Sequence, residues 1–418
     1  MESKPIRILI TLMAIGLLMV VSFAGGIFTG YSLPRQINLS QVIPFFPTTE
    51  PVIQAPQNQP SELDELFTPF WQAWDLVHTQ YVDQPVDNQV LLQGAISGML
   101  NSLGDPNTGY MDPFEFQQAN APLTGEYDGI GAWVDTTGEF LTIISPMDGS
   151  PAEAAGLRSG DKIIAVDSED VTGLDPRLVL RRVLGPAGTS VKLTILREEN
   201  EVPFDVIIVR QKITIQTISG EMLENNIAYV QILQFGERTD RDLRDTLREL
   251  NRQNPIGLIL DLRNNPGGYL NTAINISSQF IGDGVIMYED YGTGERITFT
   301  SRPGGVATEI PLVVLVNEGS ASASEITAGA IQDHGRALLV GSKTFGKGTV
   351  QTWTPLTMEA GAVKITVARW LTPNERQIDG IGLTPDIEVE ITEEDIELEL
   401  DPQLEKAEEI LLDHLSNN

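Results

Sequence analysis

Three serines, one lysine and a shortage of histidines bound the chemistry open to this chain. Ser320, Ser322 and Ser324 alternate in Gly319-Ser320-Ala321-Ser322-Ala323-Ser324-Glu325-Ile326, which follows the apolar run Val313–Val316 after Asn317 and Glu318. A buried strand that ends in a small-residue turn and enters a helix holds a serine on rigid backbone, near the positive end of that helix. The first N–H groups of a helix have no intrahelical partner. They can stabilise the oxyanion that forms when serine attacks an amide carbonyl. Serine is also a favoured helix cap, so at least one of the three is expected to be a cap. The pattern leaves open which of them is the nucleophile.

A serine nucleophile needs a base. The histidines are His78, His334 and His414. His334 lies about ten residues into or past the helix that begins at the serines, roughly 15 Å along it at ~1.5 Å per residue. His78 falls in an N-terminal helical region and His414 near the terminus, so a Ser-His-Asp triad is poorly supported. Lysine is the alternative base, because withdrawal from water makes it lose its proton more readily. Lys347 sits in Thr344-Phe345-Gly346-Lys347-Gly348-Thr349-Val350-Gln351, where flanking glycines allow close backbone approach. Spacing alone does not separate a catalytic lysine here from a surface one. A second glycine-rich turn, Asp261-Leu262-Arg263-Asn264-Asn265-Pro266-Gly267-Gly268, follows an apolar run and opens a helix. Turns at the ends of such strands line sites, and this one could donate another N–H. It lacks the spacing of a phosphate-binding loop.

Composition excludes several other chemistries. Lys plus Arg number 27 and Asp plus Glu 58, a formal charge of −31. That balance argues against nucleic acid, whose binding is driven by lysine and arginine displacing counterions. The chain has no cysteine, which removes thiol nucleophiles, disulfides and thiolate-held metals. No His-Glu-x-x-His or comparable metal spacing occurs, and no cofactor is implied.

The elements that must position these residues follow along the chain. Ile8 to Phe28 is an uncharged, mostly apolar run of 21 residues, long enough to span a bilayer. Lys4 and Arg7 before it predict a cytoplasmic N-terminus. An uncleaved transmembrane anchor over 1–30 is expected in preference to a cleaved signal peptide, with the body at the cell membrane on the extracytoplasmic side. Residues 31–60 are a proline-rich linker. Residues 61–122 form a helical region, in which Leu63, Leu66, Phe67, Phe70, Trp71 and Trp74 recur at helical spacing and are expected as core. Asp87 or Asn88 caps the next helix. Residues 123–212 form a compact unit of short strands, with helices at 151–157 and 176–184. From 213 to 390 strands alternate with helices: strands at 256–260, 312–316 and 337–340, helices at 270–280 and 324–333. Buried strands separated by helices predict an α/β core. Residues 391–418 are an acidic segment ending in an amphipathic helix at 404–415, fit either for pairing two copies in a homo-oligomer or for lying solvated.

Together these segments resemble the carboxy-terminal processing peptidases, or tail-specific proteases, of peptidase family S41. The resemblance runs from about residue 66 to residue 408 and rests on segments in order. These are Tyr81-Val82-Asp83, Leu103-Gly104-Asp105-Pro106-Asn107-Thr108, Asp128-Gly129-Ile130-Gly131, Ala155-Gly156-Leu157 with Gly160-Asp161, the turn 261–268, the serine run, Gly346-Lys347-Gly348, and Gly382-Leu383-Thr384-Pro385-Asp386. It implies a multidomain α/β protein behind one transmembrane helix: a helical N-terminal region, a PDZ-like domain over 123–212, and a protease core of ClpP/crotonase-like type. It also implies a serine endopeptidase that recognises polypeptide C-termini and cuts upstream of them. In that family the nucleophile is the first serine of the Ala-Ser-Ala-Ser-Glu run, with a lysine 25 residues on. That selects Ser322 and Lys347. A glutamine one helical turn after the lysine assists it, and Gln351 takes that place. The oxyanion donors map to Gly268 and Ala323, and the carboxylate loop of the PDZ-like domain to Gly129, Ile130 and Gly131. One departure stands out. Many relatives carry arginine before the glycine of a Gly-x-x-Gly-Thr turn, and this chain has Leu184 before Gly185.

Overall fold

A computed structural model describes residues 60–198, 200 and 202–416. The expected anchor at 1–30 and all but the last residue of the linker lie outside the described residues. Among the described residues no helix is long and apolar enough to cross a membrane. The chain divides into two units, Met1–Val86 and Asp87–Asn418.

In the first unit the described element is helix α1 (Pro60–Gln80). Its apolar stripe is not core: Leu66 is 71% and Trp71 56% exposed. Helical spacing identifies a face that favours cover, but among the described residues of this unit no second layer supplies it. The rings pack on one another instead, Phe70 on Trp71 at 5.1 Å and Trp74 on His78 at 5.0 Å between centroids.

The second unit opens with α2 (Asn88–Asn101), which Asp87 caps by accepting from the Gln89 N–H. Strand β1 (Gly109–Met111) and helix α3 (Pro113–Thr124) follow. Asp112 and Glu115 form a reciprocal capping box at the start of α3, satisfying two of its orphan donors.

Next come β2 (Glu126–Gly129), β3 (Ala132–Asp135), β4 (Leu141–Pro146), α4 (Pro151–Ala154), β5 (Lys162–Val166), β6 (Glu169–Asp170), α5 (Pro176–Val183), β7 (Ser190–Leu196), β8 (Phe204–Val209) and β9 (Gln211–Thr214). An antiparallel sheet has the order β3-β4-β5-β7-β8, with β6 on β5, and β2 pairs separately with β9. In β7 the residues Val191, Leu193 and Ile195 are fully buried while their neighbours are not, the two-residue period of a sheet with one covered face.

The remainder is β10 (Ile218–Met222), β11 (Ile227–Ile232), α6 (Thr239–Asn251), β12 (Gly257–Asp261), α7 (Leu270–Phe280), β13 (Val285–Tyr291), β14 (Arg296–Thr300), β15 (Leu312–Val316), α8 (Ala323–Asp333), β16 (Leu338–Gly341), β17 (Thr349–Pro355), β18 (Ala362–Leu371), β19 (Ile387–Glu388), α9 (Glu393–Glu397) and α10 (Pro402–Ser416). A six-stranded sheet runs β10-β11-β12-β15-β16-β19, with β11 through β19 parallel. Every residue of β12 and β15 is buried, as covering both faces of a parallel sheet requires. Leu258, Leu260 and Val314 pack with α6, α7 and α8. Ile259, Val313 and Leu315 face the other way, onto Ala407 and Leu411 of α10. Helix α10 of the acidic C-terminal segment is therefore docked rather than solvated, its apolar stripe forming the second layer, while residues 391–400 lie largely exposed. A smaller sheet, β1-β18-β13-β14 with β17 on β18, stands beside it.

Candidate active site

Three neighbouring parallel strands, β12, β15 and β16, end at one edge of the sheet, and the turns that follow interlock. Asn265 O accepts from Ala321 N (3.0 Å) and from Ser324 Oγ (2.9 Å). Asn264 N donates to Asn317 Oδ1 and Asn317 Nδ2 to Asn264 Oδ1, both at 2.8 Å. The first turn is held flush against the second at Gly267, whose φ of +100° disfavours any side chain. A Cβ there would lie 2.8 Å from Ala323 N and 2.9 Å from Ser322 Cβ.

The three serines now separate. Ser320 is buried, donates to Leu262 O at 2.8 Å and accepts from Asn317 N at 3.0 Å. Ser324 is buried and its hydroxyl serves Asn265 O. Ser322 alone of the three lines a cleft of about 550 Å³, shared with Gly268, Ala323, Lys347 and Gln351. Its backbone adopts φ 55°, ψ −113°, a sparsely populated region for a non-glycine residue. Such strain costs on the order of 1–3 kcal/mol and persists where the surroundings over-determine it. It sets Ser322 on a sharp strand-to-helix turn at the N-terminus of α8. Among the described residues the N–H groups of Gly268 and Ala323 meet no acceptor.

Glu325, fully buried, joins the serine turn to the lysine loop. Its Oε2 accepts from Ser322 N and Lys347 N, each at 2.9 Å. Its Oε1 accepts from Gly346 N at 2.7 Å and Thr344 Oγ1 at 2.6 Å. Trp370 Nε1 holds Lys347 O at 2.9 Å. Gly346, at φ +89°, lets the loop lie against the 378–382 turn, where a Cβ would sit 2.7 Å from Gly382 N. The Ser-x-x-Glu spacing 322–325 reads locally as a capping pattern, but nothing local marks its partners in the lysine loop.

Lys347 is half-buried. Burial pushes its pKa below the ordinary lysine value, the nearby Lys364 ammonium pushes the same way, and Glu325 opposes. A base must be neutral to accept a proton, and desolvation disfavours the ammonium form. If Lys347 is the base, the ascending limb of kcat/KM against pH should therefore have its midpoint below the ~10.4 of an ordinary lysine. A pH–rate profile on an unfolded polypeptide checks this, and a midpoint at the ordinary lysine value would contradict it.

Gln351 lies on strand β17, not one helical turn beyond the lysine, because residues 349–355 pair with β18. Its amide donates to Thr349 Oγ1 at 2.8 Å and more weakly to Thr366 Oγ1 at 3.4 Å. His334 is at the far end of α8, where its Nε2 meets Val285 O at 2.7 Å, away from the cleft.

Apolar walls of the cleft come from Phe116 and Leu123 of α3 with Leu270, Trp353 and Trp370. Helix α3 is tied in turn to α5: Arg181 pairs with the capping Asp112 and lies 4.7 Å over the Phe114 ring. In the 129–131 loop, Ile130 is buried and its carbonyl accepts from Ala152 N at 2.8 Å, while Gly131 O accepts from Met147 N at 3.0 Å. Leu184 packs at this loop, its Cδ2 3.0 Å from where a Gly129 Cβ would be. Buried Arg210 lies against Gly185, after the end of α5, and donates to Val183 O, Arg182 O, Ser190 O and Thr189 Oγ1.

Three family models match successive parts of the chain. The model for Peptidase family S41 matches residues 226–389, the PDZ domain model 142–197, and the model for the activating protease CtpB N-terminal domain 20–114. The chain is 39% identical over 326 residues to the carboxy-terminal-processing protease of Bartonella bacilliformis, covering 77% of this chain and 74% of that protein. It is 34% identical over 381 residues to the carboxy-terminal processing protease CtpB of Bacillus subtilis, covering 89% and 77%. Among solved structures, the photosystem II D1 C-terminal processing protease aligns with a TM-score of 0.46 at 30% identity, covering 77% of this chain and 92% of its own.

Proposed function

We propose that this chain, which belongs to the carboxy-terminal processing serine proteases of peptidase family S41, hydrolyses polypeptides with a dyad of Ser322 and Lys347. The observation that carries the reading is the division among the serines. Two have hydroxyls committed to distant carbonyls, and the third shares a cleft with the half-buried lysine. In the reaction Ser322 Oγ attacks the scissile carbonyl while neutral Lys347 Nζ takes its proton. Negative charge on the carbonyl oxygen falls to the N–H groups of Gly268 and Ala323; one such donor is typically worth about 10²–10³ in kcat. The C–N bond then breaks, Lys347 returns the proton to the leaving amine, and water hydrolyses the ester on Ser322 by the same path in reverse. Gln351 supports Lys347 from the cleft wall.

The PDZ domain supplies the basis for choosing where to cut. Such domains add a peptide as a strand and hold its terminal carboxylate on converging N–H groups. The Gly129–Gly131 loop has that role, with Leu184 as an apolar wall. A polypeptide with a free C-terminal carboxylate should be cut at least roughly tenfold faster at low concentration than its amide, one charge-assisted contact being worth about 1.5–3 kcal/mol. Equal rates for the two would remove this part of the proposal.

The Ile8–Phe28 run anchors the chain with its body outside the cytoplasm. Protease added to intact spheroplasts should digest the body of the full-length protein. Digestion only after lysis would reverse the assigned side.

A further inference from the structure

The C-terminal segment reaches the active-site edge of the sheet through two side chains, Asp401 and Gln403. Asp401 caps α10 by accepting from Leu404 N at 3.0 Å. The same carboxylate receives Arg263 Nη1 and Nη2, each at 2.8 Å. Arg263 Nη1 also reaches Gln403 Oε1 at 3.2 Å. On its other side the guanidinium grips Asp261 through Nη2 at 2.7 Å and Nε at 3.0 Å. Asp261, fully buried at the end of β12, takes a further bond from the Tyr229 hydroxyl at 2.7 Å. Burial alone would lower the Arg263 pKa, but Asp401 and Asp261 outweigh it and raise it. Burial alone would raise that of Asp401, and Arg263 brings it below the ordinary value. Both shifts favour the charged forms that the pair requires.

Arg263 opens the turn that closes with Gly268, and the intervening chain has little slack. Asn264 is locked to Asn317 in both directions. Asn265 Nδ2 is held by Ile232 O at 2.6 Å, and its Oδ1 takes Gly267 N at 2.9 Å. Gln234 Nε2 fixes Gly267 O at 2.8 Å. A shift at Arg263 is thus passed along a hydrogen-bonded turn to the peptide that presents the Gly268 N–H.

We propose that Asp401 is a positioning residue for amide hydrolysis: its carboxylate, brought by the C-terminal segment, fixes Arg263 and so the turn that aims the Gly268 N–H at the oxyanion. This rests on the assignment of Ser322 and Gly268 above. The test uses the full chain with Asp401→Asn, which keeps the capping oxygen but loses the charge, and Asp401→Glu, which keeps the charge but is the poorer cap. Three quantities are read: kcat and KM on a peptide, the affinity of a peptide boronic acid that forms a tetrahedral adduct with serine, and the affinity of uncut peptide in a Ser322→Ala background.

Displacing a donor should cost less than deleting one, so Asp401→Asn should lower kcat by about tenfold, with KM and uncut-peptide affinity within roughly twofold. Boronic acid affinity should fall in step with kcat, and Asp401→Glu should retain more kcat than Asp401→Asn. If Asn is active and Glu is not, capping alone matters and the proposal fails. It also fails if boronic acid and uncut peptide lose affinity equally, or if kcat per folded molecule is unchanged in Asp401→Asn. Circular dichroism and the unfolding midpoint supply the folded fraction, and if the Asn variant does not fold, an inactive but folded Glu variant overturns the proposal. Absence of a boronic acid adduct on Ser322 of the unmodified chain would instead sink the dyad itself, and the positioning role with it.

Discussion

Lys347→Ala should reduce cleavage of an unfolded polypeptide to background, and Lys347→Arg should do the same. Losing either member of a serine–base pair costs on the order of 10⁴–10⁶ in kcat, because the residual rate comes only from binding and oxyanion stabilisation. The arginine variant isolates the cause. It keeps a positive charge and a long side chain in the same half-buried place, so structural support for the loop is largely retained. Its guanidinium does not give up a proton in a protein, so it cannot act as the base. If burial of Lys347 matters for catalysis, as the direction of its pKa indicates, arginine fails for that reason alone. The double variant Ser322→Ala/Lys347→Ala should be no slower than either single one, since the two act as a unit. Assay of purified single and double variants on a labelled unfolded substrate checks all of this. More than a few per cent activity in Lys347→Arg would contradict it.

Glu325→Gln should be the next most damaging change, and should harm stability and catalysis together. The carboxylate accepts from three backbone N–H groups and the Thr344 hydroxyl. An amide of the same shape presents an NH₂ to one pair of them; the hydroxyl can turn to accept it, but at least one buried backbone N–H loses its partner. At about 1–3 kcal/mol for each unsatisfied group, the loss is at least about 1–3 kcal/mol. Because Glu325 ties the Ser322 backbone and the Lys347 backbone to one side chain, relaxation there separates nucleophile from base. A misplacement near 1 Å can cost about 10²-fold in rate. The unfolding midpoint and the rate of Ser322 labelling by a fluorophosphonate, per folded molecule, should both fall. Unchanged labelling in a folded Glu325→Gln protein would show that the bridge does not position the dyad.

Much of the architecture is legible in local pattern. The helix at 270–280 and the strand at 312–316 have the bounds expected from their apolar runs. Asp87 is the cap its residue type suggests. Legibility fails where a residue's partner is far away in sequence. Choosing among Ser320, Ser322 and Ser324 by physics depends on Leu262 O and Asn265 O, 58 and 59 residues distant. No spacing rule near the serines contains that information, and at the sequence level only the family resemblance selected Ser322. Glu325 looks like a helix-capping acid until the lysine loop, some twenty residues on, is folded against it. Arg263 and Asp401 are 138 apart, so the acidic segment's link to the active-site edge was invisible. The aromatic stripe of α1 shows the converse error: period alone identified an apolar face but not whether anything covers it. Gln351 lines the cleft, but the interval from Lys347 to it misleads for a related reason. A four-residue interval reads as a helical turn only if the backbone is helical, and here β17 is extended against β18.

In the proposed reaction Ser322 carries the acyl group, with Lys347 as its base. The most direct test is intact-protein mass spectrometry of the full-length chain, acid-quenched early in turnover of a slowly deacylating peptide ester. Peptide mapping then locates the adduct. The account predicts one acyl group per chain, on Ser322, absent from Ser322→Ala and not formed at a measurable rate by Lys347→Ala. An adduct on Ser320 or Ser324, or undiminished acylation of Ser322 without Lys347, would contradict it.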